Sequence, residues 1–217
     1  MASLRTLTAL EARVLAVLVE KQATVPDSYP LSLNALTLGC NQKTAREPVM
    51  NASEADVAAA LDELKTMHLV NSVSGNRVVR FEHNAARGIG VPGAGLACLT
   101  LLMLRGPQTV AELRLNTERL HRFADTSSVE GFLDELAARS PPLVLKLPRA
   151  AGAREPRWAH LLCGEVALEP AAPGAAAAAS RDEELIFLRA EQQRLQAELE
   201  QLKAQVARIS SELGMGA

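Results

Sequence analysis

The chain has 217 residues, of which 48% are hydrophobic and 22% are charged, and its formal net charge is −2 at pH 7. This composition is typical of a soluble globular protein that is long enough for more than one domain. Aromatic residues make up only 3% of the chain, which argues against a stacking platform for single-stranded nucleic acid, because such a platform needs exposed aromatic rings.

The start of the chain does not resemble a secretory signal. Arg5, Glu11, Arg13 and Glu20 interrupt its apolar positions, and a signal core does not carry such charges. The longest apolar run, Leu96–Leu104, is much shorter than the roughly 20 residues that a membrane-spanning helix needs. We therefore expect a cytoplasmic protein that does not cross a membrane.

The first predicted helix carries Leu7, Leu10, Val14 and Leu18 at helical spacing. A shorter helix is predicted around residues 33–36. A third helix is predicted to begin at Ser53-x-x-Asp56, because a hydroxyl and a carboxylate at this spacing can satisfy free backbone donors. The apolar stripe of this third helix consists of Val57, Leu61 and Leu64.

Two short β-type runs follow the third helix. They comprise residues 70–73 and 78–81, and the turn Ser74-Gly75-Asn76 separates them, so a β-hairpin is predicted. The first part of the chain is thus predicted to contain three helices followed by a hairpin.

This order of elements occurs a second time. Ala60–Leu64 recurs as Phe132–Leu136, and Leu33–Leu36 corresponds to Val110–Leu113. In the second copy the third helix is predicted to begin at the capping signal Ser127-x-x-Glu130. The other predicted features of this copy are a first helix with Leu96, Leu99 and Met103, a third-helix stripe of Val129, Leu133 and Leu136, and hairpin runs at 143–147 and 158–162.

Three helices followed by a two-stranded hairpin are typical of the winged helix, a variant of the helix-turn-helix. We therefore predict a mainly α fold class with small β hairpins, in which two tandem winged-helix domains span residues 1–87 and 96–165. The intervening segment 88–95 is predicted to be a flexible linker. It contains Gly88-x-Gly90-x-x-Gly93, but a dinucleotide-binding fingerprint requires a βαβ unit, which this context lacks.

The end of the chain has a different pattern. Residues 166–180 are rich in Ala, Pro and Gly and are predicted to be a second linker. Residues 181–214 show a heptad pattern that predicts a coiled-coil helix and a homodimer, although a single helix packed back on the winged helices is an alternative. The seam positions, which we predict to mediate oligomerisation, are Leu185, Leu188, Gln192, Leu195, Leu199, Leu202, Val206, Ile209 and Leu213.

The sequence predicts no metal, no cofactor and no enzymatic activity. The three cysteines are far apart and lack Cys-x-x-Cys pairing, and the four histidines lack metal-ligand spacing. No phosphate-binding loop or nucleophile–base arrangement stands out. We expect buried, reduced thiols.

Two long stretches resemble the signature sequences of the YceH-like family of uncharacterised bacterial proteins. They are "EKQATVPDSYPLSLNALTLGCNQKTAREPVM" and "LMLRGPQTVAELRLNTERLHRF", and the resemblance covers about residues 8–162. It implies two winged-helix domains and no catalytic activity. Ala45 and Asn116 depart from the family pattern, in which a polar and a basic residue are usual, and both changes remove contacts to an anionic partner. The resemblance marks Tyr29, Pro30, Ser32, Asn34, Asn41, Gln42, Lys43, Arg46 and Pro48, and also Arg105, Gly106, Pro107, Gln108, Thr109, Glu112, Arg114, Arg119, Leu120 and His121.

Charge leaves two functional classes open. In helix-turn-helix proteins the third helix reads DNA bases and nearby cations bind phosphates, so basic turns and wings favour binding to double-stranded DNA. However, both third helices here are acidic and neither domain is basic overall, which favours a protein-interaction adaptor that docks a protein partner. The candidate binding residues are Asn34, Asn41, Gln42, Lys43, Arg46, Arg77, Arg80, Arg114, Arg119, His121 and Arg122.

The polar turn residues also have a structural interpretation. Arg46 and Arg119 can form ion pairs with neighbouring carboxylates, and Asn34, Asn41 and Gln42 can make turn and cap hydrogen bonds. We expect Lys43, Arg46, Arg77, Arg119 and Arg122 to contact phosphate if the partner is DNA.

Overall fold

The structure is a computed structural model that describes residues 5–74, 78–91, 93–149 and 153–166. All of these residues belong to one compact unit, Met1–Leu168. Arg77, residues 167–180 of the predicted second linker, and the predicted coiled-coil helix 181–214 with its seam positions lie outside the described residues.

The first three helices of the chain each begin at a hydroxyl side chain. Helix α1, Ala9–Thr24, starts at Thr8, whose hydroxyl accepts from the Glu11 N–H while the Glu11 carboxylate accepts from the Thr8 N–H. A 3-10 turn at Pro26–Ser28 and strand β1, Leu31–Ser32, lead into helix α2, Leu33–Cys40. Helix α3, Glu54–Thr66, begins at the capping box Ser53–Asp56, which confirms the predicted start.

Strands β2, Val70–Ser74, and β3, Val79–His83, form the first hairpin. Strand β1 pairs with the outer side of β3, so the antiparallel sheet has the order β1-β3-β2 and Phe81 lies opposite both Leu31 and Ser72. The predicted hairpin is confirmed, with strands that extend one or two residues beyond the predicted runs.

The second copy repeats the same order of elements. It comprises helices α4, Gly93–Arg105, α5, Val110–Asn116, and α6, Thr126–Ala137, followed by strands β4, Val144–Lys146, and β5, Trp158–His160. Gln108 pairs with Trp158 through two backbone hydrogen bonds of 3.0 and 2.7 Å, in the place where β1 pairs with β3 in the first copy. We call residues 7–83 the N-terminal repeat and residues 93–162 the C-terminal repeat.

The predicted start of the third helix in the C-terminal repeat is wrong by two residues. The cap is Asp125, whose carboxylate accepts from the N–H and the hydroxyl of Ser128 at 2.7 Å each. Ser127 and Glu130 instead lie inside helix α6. An ionised Asp side chain is as effective as Ser at this position, because it accepts from the free backbone donors of the first turn.

One continuous hydrophobic core includes both repeats. Helices α1 and α4 pack against each other, and Val14, Leu18, Leu99 and Leu102 are fully buried. The predicted linker 88–95 contains the end of a π-helical turn, Ala86–Gly90, and the first residues of α4. Its Ile89 and Val91 side chains are buried in the core.

The described residues are mostly helical and carry small antiparallel sheets, which confirms the predicted mainly α fold class with small hairpins. No helix within 5–74, 78–91, 93–149 or 153–166 is both long enough and apolar enough to span a bilayer.

Two helical glycines give a matched test of this packing. A Cβ atom at Gly39 of α2 would lie 2.7 Å from Cγ1 of Val17 on α1, whereas a Cβ atom at Gly131 of α6 would meet no heavy atom within 4 Å. We expect Gly39→Ala to lower the free energy of unfolding by about 1–3 kcal/mol, because the close approach of α2 to α1 is lost. We expect Gly131→Ala to raise it by about 0.5–1 kcal/mol, because alanine is the better helix former.

Urea unfolding of both variants and of the parent chain measures these differences. If both variants changed the free energy of unfolding equally and with the same sign, the contact between α1 and α2 would not restrict the size of the side chain at position 39.

Candidate functional site

Arg46 of the predicted basic turn lies inside the protein. Its residue exposure is 4%, and its guanidinium donates to both carboxylate oxygens of Glu20 on α1 and to the side-chain carbonyl of Gln42. Further bonds of 2.8 and 3.3 Å join it to the backbone oxygens of Ala45 and Gly39. Arg46 is therefore unavailable to a phosphate, and Gln42 serves mainly to hold it.

A second buried arginine holds the same segment. Arg13 of α1 donates to the carbonyl oxygens of Cys40 at 3.1 Å and Pro48 at 2.8 Å, and its Nε has no partner among the described residues. Burial lowers the pKa of Arg13, and the nearby charge of Arg46 acts in the same direction. The last residue of α2 and the middle of the loop that follows are thus both bound to a side chain of α1.

The candidate asparagines of the N-terminal repeat also bond within the chain. Asn41 accepts from the Ala52 N–H and donates to the Ala52 carbonyl oxygen, both at 2.8 Å, which closes the loop between α2 and α3. Asn34 donates to Glu54 at 3.0 Å and links the start of α2 to the start of α3. Both asparagines therefore make the turn and cap hydrogen bonds expected of structural residues, and they do not present free side chains to a partner.

The same loop reaches the C-terminal repeat. The Glu47 N–H donates to the carbonyl oxygen of Leu104 at the end of α4, at 2.7 Å. The segment 41–53, which precedes the third helix, is therefore part of the packing between the two repeats. Of the two candidate cations in this segment, Lys43 is exposed and Arg46 is buried. Lys43 makes no bond with the described residues.

Arg80 on β3 is exposed but bound to its own chain. Its guanidinium donates to the carbonyl oxygens of Ser28 at 3.3 Å and Pro30 at 2.7 Å. Between them, the Tyr29 hydroxyl accepts from the His83 N–H at 2.7 Å, and burial raises the pKa of Tyr29 to about 12. The hairpin of the N-terminal repeat is thus tied to the turn after α1.

The C-terminal repeat presents its cations differently. Arg119 and Arg122 are exposed in the segment between α5 and α6, and neither bonds to another described residue. Arg114 donates to the Ala124 carbonyl oxygen at 3.2 Å, and the exposed His121 ring packs edge-on against Phe123 with centroids 4.6 Å apart. The structure therefore brings Arg114, Arg119, His121 and Arg122 to one surface segment; we call these four residues the basic segment.

The exposed sides of the two third helices also differ. Helix α3 begins with Glu54 and Asp56 and continues with Asp62, which pairs with Lys65 at 2.7 Å, and Glu63, which pairs with Arg5 at 3.0 Å. Helix α6 also exposes two carboxylates, Asp134 and Glu135, but its first turn exposes the hydroxyls of Thr126 and Ser127, and its Glu130 is paired with Lys146 at 3.0 Å.

Two exposed leucines were missed in the sequence. Leu38 of α2 and Leu115 of α5 are 65% and 68% exposed, and Val49 of the adjoining loop is 57% exposed. Leu38 and Leu115 occupy equivalent positions, each two residues after a fully buried leucine, Leu36 or Leu113. The sequence signal that could have found them is the spacing of two residues. In a helix, a leucine two positions after a core leucine points away from the protein core.

The cysteines and histidines form no metal site in the part of the chain that the structure describes. Within those residues, no three His, Cys, Asp or Glu side chains group so that they could hold a metal ion. Burial raises the pKa of both the Cys40 and the Cys98 thiol to about 12. These two cysteines are unreactive core residues, and Cys163 is half-buried.

The burial of Arg46 generates a stability prediction. Arg46→Ala removes the partner of Glu20, and we expect the free energy of unfolding to fall by about 3 kcal/mol, because a largely buried carboxylate loses its main counter-charge. Arg119→Ala is the matched control, and we expect it to change the free energy by less than about 0.5 kcal/mol, because its side chain is exposed and unbonded. Chemical denaturation measures both, and similar losses in the two variants would contradict the assignment.

Comparison with known proteins identifies the family to which this chain is similar. The family model described as "Protein of unknown function, DUF480" matches residues 7–153. A UPF0502 protein of Leptothrix cholodnii is 62% identical over 215 residues, which is 97% of either chain. UPF0502 proteins of Burkholderia pseudomallei and Burkholderia thailandensis are 64% identical over 214 residues and 62% identical over 216 residues, covering 98% and 99% of this chain and 92% of each relative.

The resemblance to the YceH-like family is consistent with these matches. Both the matched region and the identity to the relatives extend across the two repeats. The chain therefore belongs to the family described as "Protein of unknown function, DUF480", whose relatives bear the name UPF0502.

Proposed function

We propose that this chain is a non-catalytic binding protein built from two tandem winged-helix domains, and that the C-terminal repeat binds double-stranded DNA. The winged-helix assignment is supported by the order of three helices and a hairpin in each repeat. It is further supported by the short strand before the second helix, which pairs with the hairpin in the order β1-β3-β2.

The observation that carries the DNA proposal is the exposure of Arg119 and Arg122. They precede the third helix of the repeat, where helix-turn-helix proteins contact phosphates, and no carboxylate in the described residues neutralises them. Arg114 of α5 is also exposed, with one guanidinium nitrogen bonded to the Ala124 carbonyl oxygen and the Asp125 carboxylate near its charge, and Thr126 and Ser127 add hydroxyl donors at the start of α6. Arginine and hydroxyl donors of this kind suit phosphate oxygens.

The N-terminal repeat contributes little to this proposed interface. Arg46 is neutralised inside the protein, Arg80 is bound to backbone carbonyls, and the first turn of α3 is acidic, so Lys43 is the one candidate cation described there that is exposed and unbonded. Phosphate contacts are therefore assigned to few residues, and the affinity is expected to be modest and strongly dependent on salt.

Salt dependence tests the DNA proposal. With Arg114, Arg119 and Arg122 as phosphate contacts, we expect log Kd for duplex DNA to rise with log salt at a slope of about 3, because each contact contributes roughly 0.9. The double substitution Arg119→Gln and Arg122→Gln should reduce this slope by about two. Fluorescence anisotropy with a labelled duplex measures it, with the full chain throughout.

The matched control is Arg87→Gln, which removes an exposed arginine outside the basic segment. It should leave both the affinity and the slope close to those of the parent chain. Absence of binding at low salt, or an equal loss in the control, would remove the DNA proposal and leave the alternative below.

The second candidate is a protein-interaction adaptor that docks a protein partner. It is favoured by the exposed leucines Leu38 and Leu115 and by the acidic side of α3, which repels a phosphate backbone. Leu38 and α3 belong to the N-terminal repeat, whereas the proposed phosphate contacts belong to the C-terminal repeat, so substitutions in one repeat test one candidate without the other.

Self-association through residues 181–214 is also part of the proposal. Its support is the sequence, in which a heptad seam runs from Leu185 to Leu213 and Glu184, Arg189, Glu198 and Lys203 occupy flanking g and e positions. Opposite charges at these positions favour a parallel pair of identical helices, and Gln192 at a seam position favours two strands.

Deletion of residues 181–217 tests this dimer. We expect light scattering to report a dimer for the full chain and a monomer for the shortened one, because the deletion removes the whole seam. Arg194→Ala, which changes a position outside the seam, is the control and should keep the dimer. An unchanged mass after the deletion would exclude the coiled-coil dimer.

A further inference from the structure

The N-terminal repeat exposes an apolar surface that its own fold does not use. Leu38 of α2 is 65% exposed and Val49 of the following loop is 57% exposed. Both side chains belong to a stretch that is held firmly, because Arg13 bonds to Cys40 and Pro48 and Arg46 bonds to Gly39. Ordered apolar side chains of this size are suitable anchors for a protein partner, because little conformational entropy remains to be lost on binding.

Carboxylates lie beside this apolar surface. Asn34 is one helical turn before Leu38 on the same side of α2, and it donates to Glu54 at the start of α3 at 3.0 Å. Asp56 follows within the same turn of α3 and accepts from the Ser53 N–H at 2.9 Å. Glu54 and Asp56 are both exposed, and neither has a cationic partner among the described residues.

We infer that Leu38, Val49, Glu54 and Asp56 form a docking surface for a basic amphipathic helix of a protein partner. An apolar stripe on such a helix covers Leu38 and Val49, while flanking Lys or Arg side chains face the two carboxylates. The inference deepens the adaptor candidate by naming its surface and the chemistry of its partner. It does not depend on DNA binding by the basic segment of the C-terminal repeat.

Charge decides which occupant fits. A DNA backbone is repelled by Glu54 and Asp56, Arg46 is neutralised by Glu20, and Lys43 is the one exposed candidate cation of the described segment 41–53. The equivalent leucine of the C-terminal repeat, Leu115, has Glu112 and Glu118 as well as Arg114 and Arg119 close to it in sequence. Its surroundings are therefore of mixed charge, and we expect a basic helix to prefer the surface at Leu38, where Glu54 and Asp56 lie in the first turn of α3.

The test uses the full chain and a labelled amphipathic peptide of leucine and lysine, measured by fluorescence anisotropy at low salt. A scrambled peptide of the same composition has no apolar face, and a leucine–glutamate peptide has the opposite charge. We expect the leucine–lysine peptide to bind at least about tenfold more tightly than either control peptide, because it alone matches both the apolar and the charged parts of the surface.

Matched variants locate the binding. Leu38→Glu should weaken binding of the leucine–lysine peptide at least about tenfold, whereas Leu115→Glu, the same change at the equivalent exposed position, should leave it unchanged. Glu54→Gln should weaken it less and make it less dependent on salt. Circular dichroism checks that each variant keeps its fold, which is expected because both leucines are exposed.

Several outcomes would overturn the inference. They are equal binding of the scrambled peptide, no effect of Leu38→Glu, and an equal effect of Leu115→Glu. The double substitution Arg119→Gln and Arg122→Gln keeps this test separate from the DNA proposal, since it should weaken DNA binding and lower its salt slope by about two while leaving peptide binding intact.

Discussion

The ion pair between Arg46 and Glu20 determines how the N-terminal repeat is built. A buried guanidinium is tolerated only when its charge and its donors are satisfied, and here both carboxylate oxygens of Glu20 accept from it. Arg13 adds a second buried cation, which the carbonyl oxygen of Cys40 at the negative end of α2 helps to balance. These two side chains fix the path of the chain from α2 to α3, and that path places Glu47 against the end of α4.

This constraint explains why two repeats with the same order of elements present different surfaces. The connection from α2 to α3 spans residues 41–53 and folds inward around Arg46, whereas the shorter connection from α5 to α6 spans residues 117–125 and leaves Arg119 and Arg122 in solvent. The first connection buries Arg46 against Glu20 and exposes Lys43. The second leaves Arg119 and Arg122 exposed, and the difference follows from the length of the loop and from the presence of Glu20 on α1.

Local sequence patterns predicted most of the fold and little of the surface. The capping box at Ser53 and the repeated stripe Val57, Leu61 and Leu64 gave the third helix of the N-terminal repeat, because both signals act within a few residues. The prediction that Ser127 caps α6 was wrong. The number of residues that separates the two repeated stripes, when added to the position of Ser53, gives the position of Asp125, which is the observed cap. The internal repeat was the better guide, because equivalent stripes require equivalent helix starts.

Burial of individual arginines could not be predicted in the same way. Arg46 and Arg119 both follow a second helix within a polar turn, and their neighbours in sequence do not distinguish them. Their difference depends on a carboxylate that lies 26 residues away on another helix. Contacts of this range depend on how helices pack, and a one-dimensional pattern of charge does not contain that information.

The equivalent positions of Leu38 and Leu115 extend this argument to function. A single exposed leucine is ordinary on a protein surface and needs no explanation. Here the core leucines Leu36 and Leu113 already satisfy the packing of the second helices, so the fold does not require a leucine two positions later in either repeat. Asn34, one turn before the first exposed leucine, donates to Glu54, whereas both acidic and basic residues lie near the second in sequence. One duplicated scaffold thus exposes an equivalent apolar side chain in each repeat and places it in different surroundings of charge.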